Sequence, residues 1–271
     1  MHYGFHNSIS GRRGYAAALD TAERLGTTAA QLFAKSPRSW RTRKLKPGEA
    51  EAFRDALAIE HVRRTAIHAS YLVNLGAEGE LWEKSVFSLA DDLEKAALLG
   101  VDYVVVHPGS GSVERVREGA LKALALAPAG PWLLLENVAG GGRKVGRRFE
   151  ELAALIEGTP LGVTLDTCHA FAAGYPLHKD PAAVLDELDR TVGLERVPLV
   201  HFNDSVGAFA SGVDHHANLG EGRIGQELAA LLRDPRLSDK TFIMETPKAY
   251  DEQNLATFRR WAGIDQSSKT Q

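Results

Sequence analysis

The chain has 271 residues, 35 acidic side chains against 32 basic ones, 44% hydrophobic residues and a single cysteine. This composition suits a globular enzyme and excludes disorder or a collagen-like chain, and Cys168 has no second cysteine with which to form an internal disulfide. No run reads as membrane-spanning or as a secretion signal, so a soluble cytoplasmic protein is expected, and the net charge of −3 leaves nucleic acid open because phosphate contact depends on local charge.

Short apolar runs alternate along the chain with longer stretches of helical spacing. Strands are expected at Tyr3 to His6, Ala29 to Phe33, Thr65 to His68, Tyr103 to His107, Trp132 to Glu136, Val163 to Asp166, Pro198 to His201 and Phe242 to Glu245. Helices are expected at Tyr15 to Leu25, Glu49 to Ile59, Leu81 to Leu99, Arg115 to Leu126, Phe149 to Ile156, Pro181 to Thr191, Gly225 to Leu232 and Glu252 to Trp261. Eight such units predict a single-domain α/β chain over residues 1 to 271, a parallel (β/α)8 TIM barrel with a polar tail from about residue 265.

Six of the eight expected strands end on a side chain able to bind a metal: His68, His107, Glu136, Asp166, His201 and Glu245. All carboxyl ends of a parallel barrel lie on one face, so these side chains are expected to converge there. Each alone reads as a hydrogen-bonded or capping residue. Together they would bury unpaired charges at a cost of several kcal/mol each, which a metal cluster removes. His169 in Asp-Thr-Cys-His, and Asp214 with His216 in an Asp-x-His pair, are expected in loops on the same face. Imidazoles mixed with carboxylates suit zinc, with manganese or iron as competitors, and nine ligands predict two or three ions. Cys168 is expected to be a small buried neighbour rather than a ligand.

Such clusters hydrolyse phosphoesters, and related barrels isomerise sugars with metals, so the loops must discriminate. Lys35 to Lys46 carries six basic residues and Trp40 with no acidic residue. Beside a metal site this pattern suggests a polyanionic substrate. A second basic group, Arg143, Lys144, Arg147 and Arg148, follows the glycine run at residues 140 to 142, which fits neither the dinucleotide nor the P-loop spacing.

Several stretches resemble the endonuclease IV class of apurinic/apyrimidinic endonucleases, metal-dependent DNA repair enzymes on a TIM barrel. The most specific are His68-Ala69-Ser70-Tyr71-Leu72-Val73-Asn74-Leu75, His107-Pro108-Gly109-Ser110, Leu135-Glu136-Asn137, Asp166-Thr167-Cys168-His169-Ala170-Phe171-Ala172-Ala173-Gly174-Tyr175, His201-Phe202-Asn203-Asp204-Ser205 and Leu219-Gly220-Glu221-Gly222. The resemblance spans Gly4 to Pro247 and implies three zinc ions. The first would take His68 and His107, with Glu136 bridging to the second. The second would add Asp166, His201 and Glu245, and the third would take His169, Asp214 and His216. It further implies that Glu136 and Glu245 are catalytic, that Arg38 fills the stack left by an expelled abasic nucleotide, and that Tyr71 and Leu72 wedge between bases. Lys35 and Trp40 of the basic loop are expected to contact DNA. His215 is expected to point away from the ions, and His6 to line the mouth without ligating. Ser36 and Ser39 are smaller than the amide residues of some relatives, and Val138 replaces a hydroxyl residue.

The implied activity is hydrolysis 5′ to an abasic site in double-stranded DNA, leaving a 3′-hydroxyl and a 5′-deoxyribose phosphate, with removal of blocked 3′ ends by a monomer. A metal-dependent sugar isomerase or epimerase would explain the strand-end donors but not the basic loop. A non-catalytic DNA-binding module would have no use for nine converging ligands.

Overall fold

A computed structural model describes residues 1–10, 13–59 and 61–264. The expected polar tail lies outside the described residues. Eight parallel strands close the barrel: β1 (His2–Asn7), β2 (Ala29–Phe33), β3 (Arg64–His68), β4 (Tyr103–Val106), β5 (Trp132–Glu136), β6 (Gly162–Asp166), β7 (Leu199–His201) and β10 (Thr241–Met244). Each pairs with the next, and β10 returns to β1 with Tyr3 opposite Phe242 and Phe5 opposite Met244. The remaining strands, β8 (Asp204–Ser205) and β9 (His216–Ala217), form a small antiparallel ribbon in which Ser205 lies opposite His216.

The helices cover the barrel: α1 (Ala17–Leu25), α2 (Glu49–Ile59), α3 (Gly79–Leu99), α4 (Val113–Leu126), α5 (Phe149–Ile156), α6 (Thr167–Ala173), α7 (Pro181–Thr191), α8 (Ala229–Arg233) and α9 (Asp251–Ala262). Their starts follow from the chain's chemistry. Ser112 accepts from Arg115 N at the head of α4, and Asp180 accepts from Ala183 N before Pro181 at the head of α7. Helix α1 begins two residues later than expected because Gly14–Ala16 forms a 3-10 turn, and another 3-10 turn, Gly225–Leu228, takes up the first half of the expected last helix but one.

Strand alternation divides the side chains between two regions. One set packs outward beneath the helices, as Phe5, Leu32, Ile67, Val104, Leu135, Val163 and Phe242 do. The other points into the barrel, where Ala29, Ala66, Val105, Leu134, Leu199 and Ile243 form a separate cluster with Tyr103 and Trp132. The next inward position along each of several strands is a potential donor: Val105 is followed by His107, Leu134 by Glu136, Leu199 by His201 and Ile243 by Glu245. The apolar layer therefore forms the floor on which the polar mouth stands.

Candidate metal centre

Among the described residues the nine expected donors fall into three groups, in each of which the ligand atoms lie within 4.8 Å of one another: His68, His107 and Glu136; Glu136, Asp166, His201 and Glu245; and His169, Asp214 and His216. The first two share Glu136, and a fourth group joins Cys168 to Asp166 and His216. His107 and Glu245 sit one residue beyond the ends of β4 and β10. Glu136 is fully buried at the centre. Its Oε2 is 3.2 Å from Nε2 of both His68 and His107, and its Oε1 is 3.0 Å from Nδ1 of His201 and 3.2 Å from Nδ1 of His169. A cavity of about 590 Å³ opens over the cluster, bordered by Tyr71, Lys144 and Thr246 among others.

The third group is placed by two devices. His169 was expected in a loop but sits on the short helix α6, whose start is capped by Asp166 accepting from His169 N at 2.7 Å. Thus one carboxylate both caps the helix and joins the donors. His216 is carried by the β8–β9 ribbon, which Asp204 locks to the following loop by accepting from Gly220, Gly222 and Ile224 N. A Cβ at residue 222 would lie 2.4 Å from Asp204 Oδ1, so the glycine of the Gly-Glu-Gly motif is a packing requirement.

Hydrogen bonds to backbone carbonyls set the ring tautomers. Nδ1 of His68, His169 and His216 lies 2.7, 2.9 and 3.2 Å from the carbonyl oxygens of Ala69, Asn137 and Glu245. When each Nδ1–H donates to its carbonyl, each Nε2 presents a lone pair to the cluster. Nε2 of His169 lies 3.1 Å, and that of His216 3.4 Å, from Asp214 Oδ1, yet among the described residues neither buried nitrogen has a hydrogen-bond partner. A lone pair facing a carboxylate at this range is repulsive without a cation between them. The donor set thus fits divalent metal ions, and its nitrogen–oxygen character suits zinc, manganese or iron better than magnesium or calcium.

The electrostatics agree. Burial would lower the His68, His169 and His201 pKa values, but neighbouring carboxylates overcome it. Glu136 raises that of His68, Asp166 with Asp214 and Glu136 raises that of His169, and Glu245 with Glu136 lifts that of His201 to about 9. Burial opposes ionisation of Glu136 and Glu245, yet the histidines hold both well below the usual carboxylate range. Asp214 likewise falls to about 2 despite burial, through His169 and His216. The mouth is a region of strong negative potential that attracts cations.

Cys168 is fully buried between Asp166 and His169 and points toward the His215 carbonyl at 3.7 Å, although its sulfur also lies near potential ligand atoms of Asp166 and His216. Burial raises its thiol to about 12, so it stays protonated. His215 is exposed at the cavity edge outside the donor groups, and His6 lies beneath Glu245 with Nδ1 3.4 Å from its Oε1.

The basic loop corrects one expectation. Lys35 is buried, with Nζ 2.7 Å from Asp92 and 3.1 Å from Asp91, and it donates to the Ser88 carbonyl. It pins the end of β2 to α3 and cannot reach DNA without breaking those contacts. Arg43 is similarly committed, to Glu49 and the face of Tyr15. Arg38 is exposed and Trp40 half-buried. Tyr71, about half exposed, stands against His68 with ring centres 5.4 Å apart, and Leu72 follows it half-buried. The Pro37 carbonyl accepts from Tyr71 N and Ser70 Oγ, tying the two loops together. In the second basic group Arg147 holds the Ala173 carbonyl and Arg148 pairs with Glu150, whereas Lys144 borders the cavity. Glycines 140, 141 and 142 all take positive φ, at 111°, 96° and 59°, so this turn favours the run.

The polar residues that orient the donors were not singled out by sequence. Asn203 donates to Asp166 Oδ2 at 2.7 Å and accepts from Glu245 N at 2.8 Å. Asn137 accepts from Asp166 N and donates to the Asp166 carbonyl. Gln31, inside the barrel, touches Glu245, His201 and His6. A polar residue at an inward position of the apolar strand Ala-Ala-Gln-Leu-Phe was the available signal.

Comparison with known proteins fixes the lineage. Residues 19–262 match the xylose isomerase-like TIM barrel family. The chain is 64% identical over 263 residues to endonuclease 4 of one strain of Thermus thermophilus, covering 96% of this chain and 97% of that one. It is 40% identical to a probable endonuclease 4 of Halothermothrix orenii over 92% and 94% of the two chains. The crystal structure of endonuclease IV from another strain of Thermus thermophilus superposes with a TM-score of 0.95 at 63% identity, covering 98% of this chain and all of that one. A D-tagatose 3-epimerase-like protein shares the fold at a TM-score of 0.71 but only 20% identity, over 97% and 98% of the chains. The chain therefore belongs to the endonuclease 4 family of the xylose isomerase-like TIM barrels.

Proposed function

We propose that this chain is a metal-dependent DNA repair endonuclease that hydrolyses the phosphodiester bond 5′ to an abasic site, leaving a 3′-hydroxyl and a 5′-deoxyribose phosphate. The same centre would clear blocked 3′ ends. The observation that carries this reading is the gathering of nine donors into three groups at the mouth of a barrel from the endonuclease 4 family. Three zinc ions fit these groups, with Glu136 shared between the first two, and manganese or iron could replace zinc at individual positions. Bound divalent ions acidify water, orient it and neutralise charge on the attacking and leaving oxygens.

The residues supply the rest. Glu136 and Glu245 orient the attacking water, while the histidines, held by their carbonyl partners, keep the donor geometry fixed without a protein general acid. Tyr71 and Leu72 would wedge between bases, and Arg38 would fill the stack left by an expelled nucleotide; the exposure of Tyr71 and Arg38 supports this reading. Unstacking costs a few kcal/mol and least where a base is already missing, which supplies selectivity for the lesion. No described helix is long and apolar enough to cross a membrane. A cytoplasmic monomer acting on double-stranded DNA completes the reading.

The test is incision of an end-labelled duplex carrying a single abasic-site analogue, with an undamaged duplex and a ketose–aldose pair as comparisons. Cleavage immediately 5′ to the lesion, lost on chelation and restored by zinc, is expected. Sugar interconversion without incision would overturn the reading in favour of an epimerase.

A further inference from the structure

We infer that Gln31 is a positioning residue for the second metal group, fixing the tautomer of His201 and the orientation of Glu245 through a single side-chain amide. This rests on the metal-centre reading above. Gln31 is wholly buried inside the barrel, on a strand whose preceding inward residue, Ala29, belongs to the apolar floor. Burying a side-chain amide is unfavourable unless its hydrogen bonds are made, and here they are. Nε2 donates to Glu245 Oε1 at 2.7 Å and faces His6 Nδ1 at 3.0 Å, while Oε1 lies 2.9 Å from His201 Nε2.

These contacts have a direction. An ionised carboxylate only accepts, so the Glu245 oxygen at 2.7 Å requires the NH₂ end of the amide beside it. The amide oxygen then faces His201 and accepts from Nε2–H. His201 is left to present Nδ1 to Glu136 Oε1 at 3.0 Å and Glu245 Oε2 at 3.4 Å, where an ion of the second group would sit. With one N–H of the amide given to Glu245, the other faces His6 Nδ1 at 3.0 Å, which accepts it. Rotating the amide by half a turn would set oxygen against oxygen at Glu245, so Glu245 orients Gln31 and Gln31 orients His201. Outer contacts of this kind typically alter metal affinity or activity by about 10- to 100-fold.

Gln31→Leu removes the hydrogen bonds while nearly keeping the volume, and Gln31→Met, unbranched and of similar length, serves if the leucine variant does not fold. Each is compared with the wild type by equilibrium competition for zinc against a chelator, with kcat and KM for incision measured in parallel. The expected result is one class of zinc held about 10- to 100-fold more weakly, the others unchanged, and a matching fall in kcat with KM within about twofold. Unaltered zinc affinities and kcat in a folded variant would overturn the inference alone. A wild type that takes up no zinc would overturn the metal centre and this inference together. A structural role without positioning would lower the unfolding temperature but leave both affinity and kcat in place.

Discussion

The two inward-facing layers of the barrel come from the same strands, two residues apart, and differ completely in chemistry. In the floor, Leu134, Leu199, Val105 and Ile243 pack without polar atoms. In the mouth, their inward successors Glu136, His201, His107 and Glu245 bring potential ligand atoms together. The floor gives the strands a reason to close, because burying aliphatic side chains there is favourable without further partners. The mouth gives them none: its carboxylates and imidazoles are stable there only with cations and oriented hydrogen bonds. Stability and chemistry are thus separated along each strand by about 7 Å, two residues of rise.

That separation can be broken experimentally, and the largest effect should come at the mouth. Glu245→Gln should lower kcat about a thousandfold, a barrier change of about 4 kcal/mol, while the unfolding temperature of the metal-loaded protein stays within a few degrees. A variant that unfolds early instead would show that the mouth also holds the fold together. Lys35→Met should cost about 3–5 kcal/mol of stability, because it leaves Asp92 buried without its cation. The salt dependence of DNA binding should not change in that variant, in keeping with the buried position of Lys35. Leu134→Ala in the floor should cost about 2–5 kcal/mol, read as a shift in denaturation midpoint, with incision by the folded fraction preserved. Arg38→Ala should leave stability alone, weaken binding and reduce the slope of log affinity against log salt by about 1 if the guanidinium meets a phosphate.

A further expected effect is a pH dependence confined to the metal-free protein. His201 titrates at about 9 in the fold, above the ordinary histidine value, so its contribution to stability is complete below about pH 6.5 and lost as pH rises through about 9. Metal-free protein should therefore lose thermal stability across that window. Zinc-loaded protein should not, because the ion replaces the proton. Equal curves for the two forms would show that the imidazole cluster does not take up the ion.

How much of this was legible in the sequence follows from which interactions are local. The strands and their strand-end donors could be read because alternation and apolar runs are local signals, and the donor types recur at one position in each unit. The helix that carries His169 leaves no signal in the sequence, because its seven residues make too few turns to show periodicity and its capping Asp166 doubles as a strand-end donor. The burial of Lys35 is not legible in the charge run itself, because its partners Asp91 and Asp92 lie some 56 residues away on α3. The roles of Gln31, Asn137 and Asn203 escape a sequence reading for a related reason: their partners lie on other strands, so the motifs that contain Asn137 and Asn203 do not say what the amides hold, and Gln31 stands in no motif at all.

The most direct test of the central claim is a crystal structure of the purified protein with diffraction data collected on both sides of the zinc absorption edge. The account predicts three anomalous peaks at the mouth, with ligand distances of about 2.0–2.2 Å to the nine named donors and Glu136 between two of the peaks. An absence of peaks at the mouth of zinc-supplied protein, or ions held by a different set of residues, would contradict it.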